Sequence, residues 1–240
     1  MAINPEFRKK LQIFLAVAIV LAGGRAAYIV YRRHEAMKEE TKPTQETALK
    51  ADYYVTPKKL HPYDLKSARQ LTEQPVWVKY GYQHTYYPYD LQRHKTDFSH
   101  EAGTLLPLQK LAIQDVVTDV SPQAPGIKQV LACFSLNGTS YAVPIGAEKG
   151  GDFKIYSDDI FFIEDPRDLY KHWPADVWKE IDAHEVQAGM SELQASFAIG
   201  AGVPEGSGDY GWRTLHYANG GKPLVITYQK DKAVEIKPGS

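Results

Sequence analysis

A run of 21 positions from Leu11 to Tyr31 is apolar apart from Gln12 and Arg25, and it begins directly after Arg8, Lys9 and Lys10. A helix needs ~20 such residues to cross a bilayer, so this run constrains the chain more than any other feature and predicts a transmembrane signal anchor over 11–33. Leu11, Phe14, Val17, Ile19 and Leu21 supply the apolar anchor. Tyr28 and Tyr31, followed by Arg32 and Arg33, fit the membrane edge, where aromatic rings and snorkelling cations collect. Arg25 lies close enough to one end for its stem to reach headgroups. A cleavable signal peptide is the competing reading, with Ala22, Gly23 and Gly24 before the cut. The return of apolar residues after Arg25 favours an uncleaved anchor behind a short tail, 1–10.

Positions 34–50 read HEAMKEETKPTQETALK, with too little apolar surface to fold alone, and are expected to act as a tether. Over the whole chain, 28 basic and 29 acidic side chains leave no global field for nucleic acid, which is not expected as a partner. The hydrophobic fraction of 43% suffices to bury a core. With Cys133 alone, no intramolecular disulfide can form, and a thiol in an apolar strand is expected to be core.

From 51 to 164 the pattern is that of short strands. A helix capped by Asp64 runs to about Glu73, before Pro75. VWVKYGY, LQKLAIQDVV, QVLACFSL, TSYAVPI and DDIFFIE are strand candidates, whereas QHTYYPYDLQRH reads as a Tyr-dense loop or edge. Asn137 and Gly138 between two apolar runs predict a two-residue hairpin. Five strands of this kind suit a small SH3-like β-barrel.

From 165 to 240 helices come first. Asp165 followed by Pro166 is a helix start, Leu169, Trp173, Val177 and Ile181 recur along one face, and Pro174 divides the segment. Ser191 and Gln194 form a second start, the reciprocal capping pair. After a Gly/Pro loop come strands at YGWRTLHY, KPLVITYQ and AVEI. Residues 186–236, through GMSELQASFAIG and the Trp-bearing strand that follows, resemble the SmpA/OmlA or BamE-like family of small outer-membrane lipoproteins. That resemblance implies two helices on a three-stranded antiparallel sheet and a role as an assembly factor or protein-binding module rather than an enzyme. The family's acylated cysteine near the start has no counterpart here, so a bilayer helix would replace the lipid. The expected fold class is therefore α+β: a transmembrane helix, a small β-barrel, then helices packed on a three-stranded sheet.

The histidines at 34, 61, 84, 94, 100, 172, 184 and 216 show no metal spacing, and the acids Asp158, Asp159, Glu164 and Asp165 do not follow a calcium loop. No nucleophile elbow or phosphate cradle is present, so no catalytic residue, metal or cofactor is expected. Trp77, Tyr80, Tyr82, Tyr86, Tyr87 and Tyr89 are the candidate partner-binding residues, because tyrosine offers large contact area at low entropic cost. The expectation is a single-pass, envelope-facing interaction or assembly scaffold on the inner membrane. Its domain would lie on the periplasmic side, with another envelope protein as partner. The alternative is an envelope polymer-binding protein or hydrolase using the Tyr-rich stretch at 77–90 and nearby acids.

Overall fold

Asn137 and Gly138 both adopt positive φ, 50° and 82°, the geometry of a tight hairpin that other residues enter only at a cost. This turn joins the two longest strands of a β-rich fold. The computed structural model describes residues 25, 28, 31 and 51–239, apart from 122–123 and 207–210. Its strands are β1 (Val76–Val78), β2 (Thr85–Asp90), β3 (Lys95–Thr96), β4 (Gly103–Thr104), β5 (Lys110–Leu111), β6 (Ile113–Val120), β7 (Lys128–Leu136), β8 (Thr139–Lys149), β9 (Asp152–Ile155), β10 (Phe161–Phe162), β11 (Gly202–Pro204), β12 (Trp212–Tyr217), β13 (Leu224–Gln229) and β14 (Lys232–Pro238). The helices are α1 (Leu65–Ala68), α2 (Ser157–Ile160), α3 (Pro166–Leu169), α4 (Ala175–Ala183) and α5 (Glu192–Ile199). All pairing is antiparallel, in sheets ordered β10-β1-β5, β11-β12-β13-β14 and β3-β2-β8-β7-β6, with β4 added to β2 and β9 to β8.

This corrects the expected fold class in three respects. The middle of the chain is not one small barrel but two sheets. VWVKYGY keeps only three strand residues because Gly81 is wedged against Pro107, where a Cβ would lie 2.0 Å from the backbone nitrogen, and Tyr82 turns the chain at φ 65°. β1 is thereby diverted to β10 and β5, and the stretch read as a Tyr-dense loop becomes β2, an inner strand of the larger sheet. The tail carries four strands rather than three. β11 joins through what reads as a Gly/Pro loop, because glycine at 202 lets it approach Tyr217, whose ring would stand 2.7 Å from a Cβ there. Third, among the described residues no helix is long and apolar enough to cross a membrane. The longest of them, α4, has nine residues, a rise of about 14 Å against a hydrocarbon layer of about 30 Å. The anchor predicted at 11–33, with Leu11, Phe14, Val17, Ile19 and Leu21, lies outside the described residues except for Arg25, Tyr28 and Tyr31, as does the tether at 34–50. The transmembrane, single-pass reading is therefore not carried into the fold.

β3 and β6 sit at opposite edges of the large sheet, yet a single side chain joins them. The buried Asp119 carboxylate on β6 accepts from Lys95 Nζ, from the Thr96 amide of β3 and from the Val120 amide, each at 2.8 Å. The sheet must curl to bring these edges together. Its concave face encloses Tyr89, Leu131, Cys133 and Ala142, with Phe98 and Val117 against them. The other face carries Val116, Val130, Ala132, Phe134, Val143 and Ile145, covered by Ala68, Leu71 and the strand residues Val76 and Val78.

The tail builds its own core between α4, α5 and the four-stranded sheet. Ser191 caps α5 by accepting from the Gln194 amide, while the Gln194 side chain accepts from the Ser191 amide. Phe197 then meets the rings of Phe162, Tyr170 and Trp173 at centroid distances of 5.6, 5.2 and 5.3 Å. The buried hydroxyls of Tyr217 and Tyr228 satisfy each other at 2.8 Å.

These contacts set the expected stability of three variants. Phe197→Ala should cost about 3–5 kcal/mol, and Ser191→Ala about 1 kcal/mol, in urea unfolding at neutral pH. Burial raises the Asp119 pKa, but its three donors outweigh burial and hold it below the ordinary value of 3.8. Its stabilisation is thus complete above that value and is lost as pH falls through the lowered one. Asp119→Asn should cost about 1–3 kcal/mol at pH 7, and the gap between variant and parent should narrow progressively below pH ~4.

Candidate functional surface

The six aromatic residues singled out in the sequence do not share one surface. Trp77 is half-buried against the tail core, with the Lys110 ammonium 5.1 Å from its ring centre. Tyr80 is the exposed one of the six. Tyr82 lies against Gly220, where a Cβ would approach its ring to 2.7 Å, and its ring centre is 6.4 Å from that of His184. β2 then sends its tyrosines to both faces of the curled sheet. Tyr86 packs edge-on against Phe134 at 5.6 Å and Tyr141 at 5.0 Å. Tyr87 meets Phe98 at 5.3 Å on the opposite face. Tyr89 is buried beside Cys133, and burial, reinforced by Cys133 and Asp115, pushes its phenol up to about 12.

The outward face of the four-stranded sheet is different. Leu215, Tyr217, Ile226, Tyr228 and Ala233 turn inward to the core, so strand alternation turns Trp212, Thr214 and His216 of β12 outward. Pairing extends these into rows across the sheet. Trp212 stands opposite Gln229, which stands opposite Lys232, and Val203 stands opposite His216, which stands opposite Val225. Trp212 is 54% exposed and Val203 66%, whereas Trp173 and Trp178 are buried. Val234, beside the β-bulge that interrupts the β13–β14 pairing, is exposed as well. This face thus exposes one indole together with Val203 and Val234, aromatic and apolar side chains of the kind enriched in protein contacts. The alternation in WRTLHY carries this signal in the sequence, where the segment served only as a Trp-bearing strand.

Several polar clusters have structural duties instead. Asp97, Ser99 and His100 meet in one exposed turn, but both Ser99 Oγ, at 3.1 Å, and Asp97 Oδ2, at 2.7 Å, face the same imidazole nitrogen. A nucleophilic triad needs them on opposite nitrogens. Lys79 donates to the Asp158 carbonyl and lies 4.9 Å from the Phe162 ring centre, tying the end of β1 to α2; burial, then Lys59, lowers its pKa. Asp158 accepts from the Leu60 and His61 amides, Glu164 from the Lys58 amide, and Asp165 caps α3 through the Arg167 amide. Asp158 and Glu164 thus clamp the incoming segment 58–61. Among the described residues, no group of three or more His, Cys, Asp or Glu side chains is placed to hold a metal ion.

No protein-family model, curated protein or solved structure matches the chain.

Burial, then Asp115, pushes the Cys133 thiol up to about 12. At pH 8 the folded protein should leave Cys133 unmodified by an aromatic disulfide reagent over hours, and unfolding in urea should release one reactive thiol per chain. Rapid labelling of the native protein would show that the concave face of the curled sheet is open.

Proposed function

We propose that residues 51–239 act as a non-catalytic interaction or assembly module whose contact surface is the outward face of β11–β14, centred on Trp212. The observation that carries this reading is the exposure of an indole on a regular sheet face whose opposite side is fully used by the core. Burying such a ring on a partner removes a large apolar area from water, which is why tryptophan dominates contact energetics. The polar residues among the described clusters are occupied by caps, clamps and the seam, which favours binding over reaction. The resemblance of 186–236 to the BamE-like module, whose members are assembly factors, agrees with this reading.

The test is a photo-crosslinking amino acid placed at position 212 and, separately, at position 87 of the full chain in its native cells. The reading expects a discrete protein adduct from position 212 and none from position 87. Adducts from position 87 alone would move the contact surface to the Tyr-rich segment and overturn the reading.

A further inference from the structure

The end of the sheet that exposes Trp212 also carries two lysines without an ion pair among the described residues. The β13–β14 turn places Lys230, whose amide donates to the Gly211 carbonyl at 3.1 Å, next to the start of β12. Lys232 lies on the outward row that runs through Gln229 to Trp212. Neither lysine has an ion pair among the described residues, and both are exposed.

Every nearby described carboxylate is already engaged. Asp231, between the two lysines, turns to the inner side and accepts from the Glu192 amide at 3.0 Å. Glu192 pairs with Arg213 at 3.1 Å, Glu205 with His216 at 3.4 Å and Glu235 with Lys237 at 2.8 Å. Among the described residues, Lys230 and Lys232 thus stand beside the exposed indole with the neighbouring carboxylates held by other groups. With a formal net charge of −1 over the whole chain, this excess is local to the sheet end rather than a general field.

We propose that the Trp212 end of the sheet binds an acidic peptide segment of a partner protein, in which an apolar side chain seats on the indole and flanking carboxylates pair with Lys230 and Lys232. This rests on the contact-face reading above and adds the chemistry of the partner. The indole supplies the apolar anchor, and the lysines select against basic or neutral segments, because a like charge opposite them is repelled and a neutral one leaves them unpaired. Exposed ion pairs of this kind are screened, so the interaction should weaken with salt.

The experiment uses the full chain and a labelled synthetic peptide of glutamates around one leucine, followed by fluorescence anisotropy. A second peptide replaces each glutamate with lysine, and phosphatidylcholine vesicles containing phosphatidylglycerol serve as an anionic surface. The expected result is binding of the glutamate peptide that is roughly ten-fold weaker in Trp212→Ala. It should also be at least about five-fold weaker in the double variant Lys230→Gln, Lys232→Gln, and progressively weaker with added salt. Unchanged thermal unfolding of the variants checks that the sheet is intact. Equal binding of the lysine peptide, or an unaltered affinity in the lysine variant while crosslinking at 212 persists, overturns the acidic-partner inference and leaves the contact face standing. Vesicle binding that depends on the same three residues, or no peptide binding at all, also overturns it.

Discussion

Asp119 holds the large sheet in its curled form with one carboxylate and three donors. Without it, β3 and β6 would be the two open edges of a seven-stranded sheet, and open edges are templates for pairing with other chains. The same strand treats its outward amides in a consistent way. Val116 donates to the carboxylate of Asp115 at 2.7 Å, and Val120 donates to that of Asp119. Each aspartate therefore satisfies the amide that follows it, and Asp119 in addition reaches across to β3. Lys95 neutralises the buried charge, so the carboxylate remains ionised despite its burial. The curl that results is what encloses Tyr89 and Cys133, while strand alternation sends Tyr86 to the opposite face of β2.

Close backbone approach holds the tail against the rest. Gly200 would place a Cβ 2.7 Å from the Gly81 carbonyl, and Gly220 would crowd the Tyr82 ring. The Gly81–Tyr82 turn thus enters the tail only because glycine stands at both positions. Phe162, from β10, completes the seat by packing on Phe197 within the tail core. With these aromatics spent on cohesion, Trp212 on the outward face of β11–β14 is the one exposed tryptophan among the described residues. In the proposed reading, cohesion and contact are divided between the two sides of one sheet.

Much of the local structure was legible in the sequence because it is written in neighbouring residues. The Asn137–Gly138 hairpin, the Asp165–Pro166 start, the break at Pro174 and the Ser191–Gln194 capping pair all appear where the sequence puts them. Nonlocal features were not legible. Asp119 and Thr96 are 23 positions apart, and the acids that clamp 58–61 act across 97 to 106 positions. The tyrosines of β2 misled for a related reason. Alternation tells which residues share a face, but whether a face is wet depends on what packs against it, and here both faces are covered. In β12 the same alternation could have pointed to Trp212, since one of its faces, with Leu215 and Tyr217, is plainly the apolar one.

Amide hydrogen exchange tests the curled, closed sheet most directly. If Asp119 joins β3 to β6, the Thr96 and Val120 amides should exchange as slowly as interior β7 amides such as Ala132, although both belong to edge strands. If instead they exchange as freely as the amides of the exposed turn at 91–94, the seam is open and the account of the fold built on it is wrong.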